Sequence, residues 1–311
     1  MSSLILLSRI KIENANTVAG LTYGFPAITH LMGFSHALSR KLMETYGLKI
    51  DGCAVVSHEQ QIHAHRSNYD YHFSLTRNPL NHKGEIAPFN EEGRMHLTVS
   101  LLLECHGEIP NGEYGQRDLA AFLSQVYPTL RLAGGIITNI EFISVMAMPT
   151  SGQEISRLQW KLMPGFALRD RSSWLGEHHQ TLLKNDPNAT LLDAWLDFAS
   201  LKMQAETPEV GDTHEGDSAR WQHVPKPNSG YLVPIMTGYQ RISELYAPGS
   251  ITPVRDAEIP FAFVEAVYGI GEWCAVHKIR SLEDIFWRYR TTETGYYCQG
   301  AGAPVAFEHL N

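Results

Sequence analysis

The chain has 311 residues, 43% of them hydrophobic and 19% charged, which is enough apolar material for one large domain or two smaller ones. No run of eighteen apolar residues occurs, so a helical membrane span is excluded. The net charge of −8 argues against a nucleic-acid partner as far as bulk charge goes, although bulk charge limits non-specific binding more than one shaped site.

The segment "LILLSRIKI" (4–12) alternates well enough for a first strand, with Ile5, Leu7, Arg9 and Lys11 expected on one face. Arg9 and Lys11 interrupt it and no small-residue cleavage site follows, so it does not read as a signal peptide. A turn-rich stretch (13–26) leads to "AITHLMGFSHALSRKLMETYG" (27–47). Ile28, Leu31, Met32, Leu38 and Leu42 there fall at helical spacing, between Pro26 and Gly47. Residues 49–65 are β-rich in their first half, 69–76 form a second β-like run, and 77–90 read as a loop. "RMHLTVSLLLE" (94–104) has the clearest pattern. Met95, Leu97, Val99, Leu101 and Leu103 point one way, and Arg94, His96, Thr98 and Ser100 the other. A helix (115–127) and a strand (129–137) follow. Strand, helix, two or three strands, helix, strand is the ferredoxin-like or RRM-like order, and RNA-recognition modules use the open sheet face of that fold.

Beyond that point the spacing predicts mostly helix over 151–203, interrupted at "LMPGFAL" (162–168). Residues 204–217, "QAETPEVGDTHEGD", hold five acids and no base, more than half of the net excess, and read as a mobile acidic loop. Strands are expected in 230–239, 260–273 and 296–299, and a short amphipathic helix in 281–290. The expected fold class is α+β, with an RRM-like core over 1–138. Residues 139–311 then hold a helical insertion, the acidic loop and a β-rich segment packed on that core, or the whole forms one continuous domain.

Enzyme signatures are scarce. "HEQQIHAH" (58–65) resembles a zinc motif, but His58 and His63 are five apart, about 140° round a helix, and cannot chelate together from one. On a strand, His63 and His65 share a face, His58 takes the other, and no third ligand is in view. The segment therefore reads as an exposed strand end. No GxSxG, Walker A or GxGxxG sequence occurs. Cys53, Cys105, Cys274 and Cys298 are far apart, which suits a reducing cytoplasm and leaves no cysteine-only metal site. No metal, cofactor or catalytic residue is expected.

Seven blocks occur in order: "TYGFPAITHLMGFSHALSRKL", "LTRNPLN", "EEGRMHLTVSLLLECHGE", "LRLAGG", "LMPGFAL", "GYLVPIMTGY" and "PFAFVEAVYGIGEW". Together they resemble the small-subunit family of the type I-F CRISPR surveillance complex (Cascade, or Csy complex). The resemblance runs from the first strand to about residue 290 and leaves 106–117, 140–160, 204–217 and the tail unmatched. It implies a non-catalytic, cytoplasmic protein with an RRM-like fold that holds the 5′ handle of the crRNA. The implied partners are the large subunit, as a heterodimer, the first backbone subunit, and target DNA near the PAM, with no membrane. In such assemblies base pairing reads the target and protein holds backbone and shape.

Handle binding calls for cations, amides and rings on loops or an open strand face. The candidates are Arg9 and Lys11 on the first strand, Arg94 and His96 (with Ser100) on the third, and Arg77, Asn78 and Asn81 in "LTRNPLNH". Tyr23 and Phe25 precede the first helix, where the alternatives are stacking on RNA and stapling the helix. His36 and Arg40 lie on that helix, and Arg131 at a strand end beside two glycines. The rival reading is a repeat-processing, metal-independent endoribonuclease on the same scaffold, motivated by fifteen histidines. A metal hydrolase at His58, His63 and His65 is the third.

Overall fold

A computed structural model describes residues 2–77, 79–86, 88–206 and 220–300. The elements of the main body, in chain order, are β1 (Ser2–Asn16), α1 (Ile28–Tyr46), β2 (Lys49–Ile62), β3 (Arg94–His106), α2 (Glu113–Val126), β4 (Arg131–Leu132), β5 (Gly135–Asn139), β6 (Phe142–Ala147), α3 (Gly152–Leu162), β7 (Phe166–Asp170), α4 (Ser172–Leu182), α5 (Leu191–Ala199), β8 (Leu232–Arg241), β9 (Val264–Ala275), β10 (Phe286–Thr291) and β11 (Gly295–Gly300). The eleven strands form one antiparallel sheet, ordered β4–β5–β1–β3–β2–β7–β9–β8–β11–β10, with β6 also on β1. Strand β10 returns to β2 through Phe286↔Ala54 and Trp287↔Cys53. β2, β7, β9, β8, β11 and β10 therefore close a ring.

Strand β1 is buried on both faces at its start, where Leu4, Ile5, Leu6 and Leu7 lose nearly all contact with water. Apolar runs of this kind belong to central strands covered on both sides. Ile5, Leu7, Ile10 and Ile12 meet α1 (Leu31, Leu38, Leu42) and α2 (Leu119, Leu123) on one side of the sheet. Leu4 and Leu6, with Ala54, Val56 and Leu102, face the other side beneath Leu158 and Leu162 of α3 and Val276, Ile285 and Phe286. Helix α1 ends where expected: Gly47 takes φ +67°, and the N–H groups of Gly47 and Leu48 return to the carbonyls of Met43 and Leu42.

Several sequence expectations need correction. Ile5, Leu7, Arg9 and Lys11 do not share a face. The register of β1 against β3 shifts between Leu7 and Ile10, Arg9 takes φ +47°, and the alternation reverses beyond it. Residues 129–137 are not one strand. Ala133 and Gly134, at φ +49° and +75°, turn the chain between β4 and β5 as a two-residue hairpin. The run 69–76 breaks at Ser74 into Asp70–Phe73, paired with Ala64–Ser67, and Leu75–Arg77, which pairs with Phe89–Glu91 out of the expected 77–90 loop. Residues 281–290 are not a helix. Phe286 packs under α3 while Trp287, its neighbour, packs with the α1 side, and only a strand sends adjacent side chains to opposite layers. Of the acidic stretch, Met203–Ala205 pairs with Trp221–His223, and 207–217 lies outside the described residues.

Candidate nucleic-acid interface

Both neighbours of β3 bulge at the same level. Opposite Ser100, β1 carries an extra residue at Ser8–Arg9, and β2 shifts register between Ser57 and Glu59. Ser100 is fully buried and its hydroxyl serves both irregularities. It accepts from the Arg9 backbone N–H at 2.9 Å and lies 2.7 Å from His58 Nε2. His58 Nδ1 lies 2.7 Å from the Pro164 carbonyl. A carbonyl only accepts, so Nδ1 carries the proton and the Ser100 O–H donates to Nε2. Arg9 reaches the same turn, donating from Nη2 to the Met163 carbonyl at 3.0 Å and facing Glu141 at 3.4 Å. Burial, aided by the Arg9 charge, holds His58 below its ordinary value, so it is neutral. His58 is thus a half-buried tie and not part of an exposed strand end, and both its ring nitrogens are occupied. Ser100 is likewise inaccessible.

Beyond the bulges, Lys11, Glu59 and Gln61 are exposed on this sheet face. Lys11 is exposed beside Glu59, Thr98, Asn139 and Glu141 in a cleft of about 270 Å³. Two carboxylates accompany the two cations here, so charge alone does not make this cleft an anion trap. Further along, His96 Nδ1 accepts from the Asn14 N–H at 3.3 Å, and its ring meets His63 edge-on at 4.2 Å. Burial, then the neighbouring His96, lowers His63. Arg94 donates to Glu92. A Cβ on Gly134 would lie 3.9 Å from Arg94 Nη1, so the β4–β5 turn, with exposed Arg131 before it, sits against this corner.

The paired strands 64–77 and 89–91 add the least encumbered chemistry. Arg77 lies over the Phe89 ring at 5.1 Å and Arg66 over Tyr71 at 5.8 Å, and all four residues are exposed. Exposed Tyr23 meets Phe73 edge-on at 5.6 Å, joining the loop before α1 to the root of this arm. Asn81 is exposed but engaged within its own turn: its Oδ1 accepts from the N–H groups of Lys83 and Glu85, and its Nδ2 donates to Glu85. Asn78 lies outside the described residues. Phe25 is half-buried on Trp273 at 4.9 Å. His36 and Arg40 stand on the outer side of α1, where His36 meets Tyr289 of β10 at 5.5 Å, away from the open sheet face.

The eleven candidates among the described residues therefore fall into separate groups: the open sheet end with the β4–β5 corner, the arm, and α1 with Phe25 just before it. Sequence reasoning missed Arg66, Tyr71 and Phe89. The alternation of Tyr69, Tyr71 and Phe73 was the available signal. Among the described residues, no three His, Cys, Asp or Glu side chains gather as a metal-binding group. All four cysteines are free and buried, and burial pushes Cys105 up to about 11 and Cys298 to about 12, so both stay protonated near neutrality. Among those residues, no helix is long and apolar enough to cross a membrane.

A family model described as "CRISPR-associated protein (Cas_Csy2)" matches residues 5–298. The chain belongs to the Csy2 family. CRISPR-associated protein Csy2 of Pseudomonas aeruginosa (strain UCBPP-PA14) is 37% identical over 299 residues, covering 92% of this chain and 90% of that protein. This is the family that the seven ordered blocks resemble, and the match spans both bulges, the arm and the closed ring of strands. Csy2 family membership makes the chain a component of a CRISPR system.

Proposed function

We propose that this chain is a non-catalytic subunit of a type I-F CRISPR surveillance complex that holds the 5′ handle of the crRNA. It pairs with the large subunit, meets the first backbone subunit, lies near PAM-proximal target DNA, and works in the cytoplasm. The observation that carries this reading is the family match over residues 5–298.

The geometry supports it in two ways. Strand order β6–β1–β3–β2, with α1 and α2 on one side, supports the RRM-like reading. We assign residues 1–138 to that core, completed by β6, and the remainder to segments packed on its edge and outer face. The exposed cations Lys11, Arg77 and Arg131, with Arg66, which also donates to the Asn68 carbonyl, suit phosphates, and the exposed rings of Tyr23, Tyr71 and Phe89 suit unstacked bases. Arg9, Arg94 and Asn81 make internal bonds and act in this reading by holding the surface in place.

Co-expression with the large subunit is expected to give one stable heterodimer on gel filtration. That heterodimer should shift a handle RNA at low salt, with little dependence on spacer sequence. Two separate species and no shift would overturn the reading. Repeat RNA should survive incubation in EDTA; cleavage abolished by a single His→Ala change would make the chain a ribonuclease instead.

A further inference from the structure

A cavity of about 480 Å³ opens where the chain enters α1, between β2, β7 and the start of β8. Its floor is Phe25, locked edge-on against Trp273 at an interplanar angle of 79°. Its rim carries three rings, Tyr23, Phe166 and Tyr231, exposed by 63%, 54% and 70%, with Tyr23 also edge-on to Phe73. Among the described residues, no Asp, Glu, Lys, Arg or His lines it. Gln60 and Ser57 of β2 line it beside Thr22, whose hydroxyl donates to the Ala19 carbonyl, and among the described residues neither the Gln60 nor the Ser57 side chain has a hydrogen-bond partner.

A neutral, ring-lined cavity with an amide and a hydroxyl on one wall selects a flat, uncharged ligand with a hydrogen-bonding edge. Phosphate finds no counter-charge inside. An aliphatic or phenyl side chain of a partner protein would cover Gln60 and Ser57 without bonding them, which is unfavourable. A nucleobase satisfies both requirements, its faces against the rings and its edge against the amide. The backbone beside it would also meet a suitable neighbour. Ala27 and Ile28 line the mouth, and Ala27 provides no side-chain cap to the N-terminus of α1.

We propose that this cavity receives one unstacked nucleobase of the bound RNA, held between the rim rings and read at its edge by Gln60. The inference rests on the RNA-binding function proposed above and names a site within it.

The test uses the heterodimer with the large subunit and handle RNAs carrying 2-aminopurine at one position at a time. One position is expected to lose fluorescence on binding, and Phe166→Ala or Tyr231→Ala should restore it. An abasic site at that position should weaken binding roughly tenfold, the size of one base–aromatic stack. The Phe166→Ala complex should no longer distinguish abasic from intact RNA. If RNA binds but no position responds to either variant, the pocket assignment fails while the RNA-binding function stands. If both variants instead split the heterodimer in the absence of RNA, the occupant is a protein side chain and the proposal is overturned. If the wild-type heterodimer binds no RNA, the underlying reading fails and takes the pocket assignment with it.

Discussion

The two ends of β1, β2 and β3 are built from the same paired strands and end in opposite environments. At one end the outer face presents Leu4, Leu6, Ala54, Val56 and Leu102, all sealed under α3 and the segment leading to β10. At the other end the same face presents Lys11, Glu59, Gln61 and His96, of which Lys11, Glu59 and Gln61 are exposed and His96 meets His63 at the root of the arm. The change happens at one level, where Ser100 satisfies the bulges of both neighbours and Arg9 and His58 reach out to the turn after α3. A bulge resets which residues face out. Here two bulges divide one sheet into a covered end and an open end, and the tie to Met163–Pro164 lies between them.

The sharpest way to break that division is to treat one strand as if its ends were equivalent. Leu102→Ala removes a fully buried side chain from the covered end and should cost about 2–5 kcal/mol in denaturant unfolding. His96→Ala, on the same strand and face, should cost under about 1 kcal/mol. Similar losses at both positions would mean that the open end is covered as well.

The boundary comes next. Ser100→Ala leaves the Arg9 N–H and His58 Nε2 without their shared partner inside the protein and should cost about 1–3 kcal/mol. The effect should be much smaller in a His58→Leu background, because the two changes remove members of one network. Full additivity in that cycle would show that Ser100 does not join the two bulges.

The same tie carries a pH signature. In the unfolded chain His58 protonates near its ordinary 6.5, and in the fold burial lowers that value. Below 6.5 the unfolded state therefore binds more protons, so stability falls with pH. The contribution is complete above 6.5 and is lost as pH drops toward the folded value. His58→Gln should start less stable at about pH 7.5 and lose less than the wild type on the way to about pH 5.5. Parallel curves would assign the proton uptake elsewhere, to His30 or His63, which burial also lowers.

The periodic parts of this design were legible in the sequence. Helix α1 was readable because it buries one continuous stripe, strand β3 because Met95, Leu97, Val99, Leu101 and Leu103 alternate along one buried face, and the family was readable from seven ordered blocks. The bulges were not, because nothing local in "LLSRIKI" says that Arg9 will take a left-handed conformation. That requires a hydroxyl 91 residues away. The strand at 286–291 was missed for a related reason. "SLEDIFWRYR" has a helical charge pattern, and only the open edge of β2 at Cys53–Ala54 and the two clusters flanking Phe286 and Trp287 make it extended. The cavity at the start of α1 draws rings from four distant segments, so only Tyr23 and Phe25 were visible in advance.

The smallest expected effect separates two cations that the sequence places side by side. Arg9 is committed to the Met163 carbonyl and Glu141, while Lys11, just past the bulge, is exposed at the mouth of the open cleft. Arg9→Ala should lower stability by about 1.5–3 kcal/mol, the worth of a hydrogen bond from a charged donor, and change RNA binding only through that loss. Lys11→Ala should leave stability within about 0.5 kcal/mol and instead weaken handle binding uniformly across spacer sequences. One lost phosphate contact with a single strand should flatten the plot of log affinity against log salt by about 0.7. An unchanged salt slope would mean that Glu59 and Glu141 already neutralise Lys11 and that the cleft does not face the RNA backbone. The handle would then run along the arm, past Arg66 and Arg77, and the same titration repeated on those two variants would find the missing slope there.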